Sequence, residues 1–97
     1  MVEVALVVKL TARAGMEAEL AEFLTGALSL ANDEAGTEVW LALRSDQSTF
    51  WIVDAFPGDA ERKAHLEGPI AEGLFANADR LLDAAPEVHP ADVLAIK

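Results

Sequence analysis

Two residues of this chain have side chains suited to proton transfer and a spacing that lets them meet. Asp54 sits inside the apolar run Phe50-Trp51-Ile52-Val53-Asp54-Ala55-Phe56. His65, one of two histidines, is carried by the helical stretch that follows Pro57-Gly58. An ionised carboxylate in an apolar strand is costly unless it is paired or hydrogen-bonded. His65 lies far enough along its helix to fold back over the sheet, and an imidazole titrating near neutrality suits proton transfer. Two readings are open. In one, Asp54 accepts backbone or arginine hydrogen bonds at the strand end and His65 is half-buried packing. In the other, they form the polar end of an apolar pocket, where Asp54 or Arg44 orients or charges the imidazole. Asp54 is expected across from Val39 or diagonal to Trp40, and its parity with Arg44 rests on a one-residue choice of hairpin register.

Other chemistries have less support. Glu61 and His65 form an i,i+4 pair, but spacing supplies no third metal ligand, and His89 in "EVHPAD" reads as a surface residue, so no metal is expected. The chain has no cysteine, which excludes disulfides, thiolate sites and cysteine nucleophiles. It carries no glycine-rich phosphate loop, no GxSxG and no serine with a credible triad, and "GPIAEG" reads as helix punctuation. Trp40, Phe50, Trp51 and Phe75 are most simply core or interface aromatics. An aromatic-walled cavity with few polar groups is nevertheless a usual small-molecule site.

The 97 residues make one domain, 1–97, large enough to bury a core without staples. Seven basic against 17 acidic residues give a formal charge of −10. That balance argues against nucleic acid, anionic membrane and phosphate-rich substrates. Mean hydropathy is +0.25, yet no apolar run approaches the ~20 residues of a membrane span. "MVEVALVVKL" has no basic n-region and does not read as a signal peptide, and the lack of cysteine fits a cytoplasmic protein.

The elements that must position these residues follow from periodicity. Val2, Val4, Leu6, Val8 and Leu10 alternate with Glu3, Ala5, Val7 and Lys9, a strand. After "TARAG", Met16, Leu20, Phe23, Leu24, Ala27, Leu28 and Ala31 recur at helical spacing, with Glu17 and Glu19 in the first turn and Gly36 expected as a left-handed cap. "TEVWLALRS" and "STFWIVDAF" predict a hairpin turning near Asp46-Gln47. Asp59 is a candidate N-cap for the next helix, with Glu61 and Arg62 on its outer side. Gly68 suits a C-cap and Pro69 the first position of a further helix reaching Ala85. "ADVLAIK" is expected as the last strand. The order β-α-β-β-α-β is the ferredoxin-like α+β arrangement, two helices covering one face of a four-stranded antiparallel sheet. The hairpin is apolar on both faces, since Val39, Leu41 and Leu43 alternate with Trp40 and Ala42. The uncovered face is therefore expected to pack against a second copy as a two-fold homodimer.

The succession "VVKLTARAGMEAELAEFL", "DEAGT", "WLALR" and "FWIVDAFPGDAERKAHLEGPIAEGL" resembles the antibiotic biosynthesis monooxygenase superfamily over essentially the whole chain. The most specific pieces are the Gly36-Thr37 helix stop, Asp54-Ala55-Phe56 and Ala64-His65-Leu66. The resemblance implies a homodimeric α/β barrel with a pocket in each subunit between sheet and helices. It implies activities ranging from cofactor-independent oxygenation of quinols and polyketide phenols to haem degradation. Others of similar fold are isomerases, and many have no known activity. The chain departs from the family in having no tyrosine, so a mechanism relying on a tyrosine hydroxyl cannot operate. It also lacks the asparagine–tryptophan–histidine set of the haem-degrading branch. What the resemblance leaves is a monooxygenase without cofactor acting on a small aromatic compound. His65 would remove a phenolic proton, Asp54 would hold the imidazole, and Arg44 would stabilise the anion. Trp40, Phe50, Trp51 and Phe75 would wall the ring. The alternative is a non-catalytic ligand-binding or accessory protein using the same pocket.

Overall fold

The inward residues of the first strand set the layout. In the computed structural model of the protein, which describes residues 1–97, β1 spans Val4–Thr11 and buries Leu6, Val8 and Leu10 on one side. The chain continues through α1 (Glu17–Asp33), β2 (Val39–Arg44), β3 (Thr49–Phe56), α2 (Asp59–Leu66), α3 (Pro69–Leu81) and β4 (Glu87–Asp92). The strands form one antiparallel sheet in the order β2-β3-β1-β4, the expected ferredoxin-like α+β arrangement. β1 and β3 are therefore the central strands, and their inward side chains are the best buried.

Leu20, Leu24, Ala27 and Ala31 of α1 face the sheet at the spacing read from the sequence. Leu20 and Leu24 join a cluster with Leu6, Leu10, Phe50, Ile52 and Phe56 from the strands and Leu74 and Leu81 from α3, while Ala27 and Ala31 form a smaller cluster with Ile70. Full burial of side chains of this size stabilises by about 1.5–3 kcal/mol each. Leu28, also at helical spacing, falls on the flank and stays half exposed. The β2–β3 turn is closed by Asp46, whose Oδ1 accepts the backbone N–H groups of Ser48 and Thr49. Hydrogen bonds from the Thr49 side chain and the Ser48 backbone hold its carboxyl below the ordinary value.

Several expected details differ. The last strand is "EVHPAD", not "ADVLAIK": pairing with β1 sets Val8 opposite Val88 and Leu6 opposite Pro90, so the strand begins earlier. Val88 packs on the core, and Pro90 is tolerated because β4 is an edge. Leu94, expected in the sheet, is 97% exposed. Gly36 is no left-handed cap; only Gly15 has positive φ, at +90°. Instead, Gly36 permits close approach of α2, since a Cβ there would lie 2.9 Å from Glu61 Cγ. Gly58, not Asp59, is the N-cap of α2. Arg62 does not face outward: its Nη1 donates to the carbonyls of Ala5 (3.2 Å) and Ala91 (3.3 Å), tying α2 to β1 and β4. Glu67 caps α2, and Gly68 begins α3 with Pro69 at its first turn. Three helices rather than two thus cover the inner face. α3 stops at Leu81 because Leu82 leaves it to bridge Ala12.

The outer face carries no helix. Leu41 and Leu43 are 49% and 47% exposed there, beside half-buried Val39, Trp51, Val53 and Val7. No helix is long and apolar enough to cross a membrane.

Candidate functional site

Asp54 belongs to the inward parity of β3, with Phe50, Ile52 and Phe56. It stands opposite Leu6 on one side and Trp40 on the other, which fixes the register the sequence left open and removes Val39 as its partner. At 1% exposure this carboxylate has no access to water. Its compensation comes from α2. Arg62 anchors that helix across the sheet, and its last turn delivers His65, itself 7% exposed, over the strand end. His65 Nε2 lies 2.9 Å from Asp54 Oδ2. The ring is tilted against Phe56 with centroids 5.2 Å apart.

The other ring nitrogen is also engaged. Nδ1 donates to Glu34 Oε1 at 2.6 Å, and Thr37 Oγ1 donates to the same oxygen at 2.7 Å. Glu34 is the C-cap of α1, the end of a helix where a negative charge is unfavourable. His65, when protonated, offsets that charge. Burial opposes protonation of the imidazole, but hydrogen bonds and charge from Asp54 and then Glu34 outweigh it, so its pKa is raised above the ordinary histidine value. The cluster is a carboxylate–imidazolium–carboxylate sandwich.

The sandwich is not closed. Asp54 Oδ2 meets only His65 Nε2, and Asp54 Oδ1 receives no hydrogen bond. Trp40 Nε1 and Glu34 Oε2 are likewise buried without a partner. Buried polar atoms left unpaired are rare and call for an explanation. Asp54 and His65 both border a small, partly open cavity of about 30 Å³, otherwise apolar, whose walls include Leu6, Ile52, Leu74 and Phe75. On its other flank His65 borders a surface groove of about 340 Å³, formed by residues 34–37, α2 and the start of α3. The imidazole is thus the wall between the small cavity and an open groove.

The structure brings together Asp54 and His65 but not Arg44. The guanidinium of Arg44 closes the hairpin at the far end of β2, donating to the carbonyls of Asp46 (3.3 Å) and Gln47 (2.6 Å) and lying over Phe50. Of the four aromatics, only Phe75 borders the Asp54–His65 cavity. Phe50 is core. Trp40 packs between the main core and the smaller Ala27–Ala31–Ile70 cluster. Trp51 points to the outer face, where its Nε1 donates to Ser45 Oγ at 2.7 Å and Lys9 lies over its ring. Sequence reasoning missed Glu34 and Thr37. The available signal was an acid at a helix C-terminus, the wrong end for its charge, within "DEAGT".

This architecture is that of solved structures described as "putative antibiotic biosynthesis monooxygenase". One from Chloroflexus aurantiacus has a TM-score of 0.77 and 21% identity over 98% of this chain and 96% of that one. Another, from Deinococcus radiodurans, has 0.81 and 18% over 97% and 96%. At such identities the likeness establishes the antibiotic biosynthesis monooxygenase-like ferredoxin fold. The chain belongs to the family of the NE2512 protein of unknown function from Nitrosomonas europaea, with 49% identity, a TM-score of 0.98, and coverage of 100% of this chain and 94% of that one. No family model and no curated protein matches the chain.

Proposed function

We propose that this protein is a cofactor-independent monooxygenase of a small aromatic compound, a quinol or polyketide-like phenol, working as a homodimer in the cytoplasm. One observation carries the reading: a fully buried carboxylate, Asp54, with Oδ1 unmet by any donor and Oδ2 facing only His65 Nε2, on the wall of an apolar cavity. A phenolic O–H is an apolar ring bearing the one group this wall lacks. Because both nitrogens of His65 face carboxylates, Asp54 takes the phenolic proton, and the His65 cation balances the phenolate formed next to it. Arg44 has no part in this step, since its donors are engaged in the hairpin turn. The phenolate is the electron donor to dioxygen. With a hydroquinone the products are a hydroxyquinone and water: one oxygen atom is inserted, and the other leaves with two substrate hydrogens.

A ring needs more room than 30 Å³; a cavity of about 150 Å³ holds benzene. Phe75 borders both the small cavity and a surface groove of about 440 Å³ beside Arg13 and Leu82. Its half-exposed side chain is the one whose rotation joins the two, and it then lies against the bound ring. A second reading, a ligand carrier without chemistry, is favoured by the engagement of both imidazole nitrogens, which leaves His65 no free lone pair.

Oxygen consumption and His65 NMR shifts, measured with a panel of phenols and hydroquinones, test both. The expected result is ligand-dependent His65 shifts with oxygen uptake that Asp54→Asn reduces at least 100-fold. Binding without uptake across the panel assigns the carrier role. No binding by any member overturns both readings.

A further inference from the structure

Trp40 Nε1 is the one buried side-chain donor without an acceptor, and Asp54 Oδ1 is a buried acceptor without a donor. The two residues stand directly opposite each other on β2 and β3. Both belong to the inward face, where Trp40 packs on the core and Asp54 lies beneath His65. Opposed side chains of an antiparallel pair have Cβ atoms about 4.5–5.5 Å apart, so one oxygen atom can meet the indole N–H and the carboxylate together. Ile70 packs against Trp40 and also borders the Asp54–His65 cavity, so the indole stands directly behind a wall that an entering ring displaces. The remaining unpaired acceptor, Glu34 Oε2, lies beside Gly68 on the groove side of the imidazole.

A hydroxyl is the group that answers both atoms at once, since it donates its proton to Asp54 while its oxygen accepts from Trp40. An ether leaves Asp54 unmet, and a carbonyl turns its lone pairs on the carboxylate. We infer that Trp40 is the hydrogen-bond donor to the substrate's hydroxyl oxygen, a role that rests on Asp54 being the proton acceptor. One proton passes from the hydroxyl to Asp54 Oδ1, and no electrons move in this step. The indole keeps its own proton, and its bond to the oxygen strengthens as that oxygen becomes the phenolate. His65 supplies the balancing charge, and Trp40 the directed bond. Trp40 thereby fills the place of the anion-stabilising donor that Arg44, held in the hairpin turn, leaves open. The substrate class narrows to aromatic rings that carry a free hydroxyl.

The chain has two tryptophans, so its NMR spectrum has two indole N–H signals. That of Trp51 is already donated to Ser45 Oγ on the outer face and serves as the internal reference. The full chain is titrated with each phenol of the panel and with its fully O-methylated ether. The phenol is expected to move the Trp40 signal downfield and leave that of Trp51 in place, and the ether to bind at least about tenfold more weakly. Trp40→Phe keeps an aromatic ring but no donor. Its phenol affinity is expected to fall roughly tenfold, the loss of one hydrogen bond to a charged oxygen, with ether affinity and the His65 pKa of the free protein unchanged. A phenol that shifts His65 but leaves the Trp40 signal unmoved overturns the assignment, and so does an equal loss of phenol and ether affinity in Trp40→Phe. The wild-type titration decides the matter even if Trp40→Phe does not fold. If phenols shift His65 and drive oxygen uptake without moving the Trp40 signal, the Trp40 bond alone is lost. If no phenol binds, the reading on which it rests falls with it.

Discussion

His65 is the residue on which the charge balance turns, and its raised pKa has a direct consequence for stability. The folded imidazole holds its proton more tightly than the unfolded one because Asp54 and Glu34 face it from both sides. Between the unfolded and folded values the native state carries a proton that the unfolded chain has lost, so stability falls as pH rises. The contribution is complete below the ordinary histidine value of about 6.5 and is lost as pH rises through the raised folded value. For a single proton the slope cannot exceed about 1.4 kcal/mol per pH unit. Urea unfolding at a series of pH values from 6 to 9 is expected to show this fall, and Asp54→Asn to lower the His65 pKa and shift the fall to lower pH. A flat profile in the wild type contradicts the sandwich. The need of Asp54 for a partner was legible in the sequence, because a lone acid in an apolar strand is costly, but whether that partner is His65 was left open between two readings. Glu34 was not legible, because its direction depends on how the chain leaves α1.

At the scale of elements, two glycines with open space around them separate backbone from packing. Neither Gly15 nor Gly26 would bring a Cβ within 4 Å of a neighbour. Gly26 lies inside α1 with ordinary helical backbone, where alanine is favoured by roughly 0.5–1 kcal/mol. Gly15 has φ +90° in the turn before α1, a conformation that costs an alanine about 1–3 kcal/mol. Gly26→Ala is therefore expected to raise the urea midpoint and Gly15→Ala to lower it. A stabilised Gly15→Ala would show that the turn relaxes. Most element cores were readable because periods of 2 and 3.6 are local properties. The ends were less so: α3 stops at Leu81 because Leu82 is needed against Ala12, and β4 starts at Glu87 because β1 dictates its register. Both are contacts between residues distant in sequence.

At the scale of the molecule, the outer sheet face remains unmatched. Three helices cover the inner face, while Leu41 and Leu43 stand about half exposed in a field of Val7, Trp51 and Val53. A two-fold axis would set such a patch against its own copy. The wild type is expected to sediment as a dimer at micromolar concentration. The double variant Leu41→Lys, Leu43→Lys is expected to be a monomer with unchanged far-ultraviolet circular dichroism, since neither side chain belongs to the inner core. A monomeric wild type overturns the homodimer.

Sequence by itself determined the α+β order, the inward parity of β1 and β3, the two-faced apolar hairpin and the need of Asp54 for a partner. Each follows from side-chain alternation along a short stretch, or from the cost of one charge in apolar surroundings. Only the tertiary structure decided that Arg44 lies at the wrong end of the hairpin, that Trp51 faces outward, and that Glu34 closes the imidazole from behind. Those outcomes depend on hairpin register and on where α1 ends against α2, and neither is written in any local period. The chemistry of the site therefore belongs to a meeting of three distant segments: the end of α1, the strand β3 and the last turn of α2.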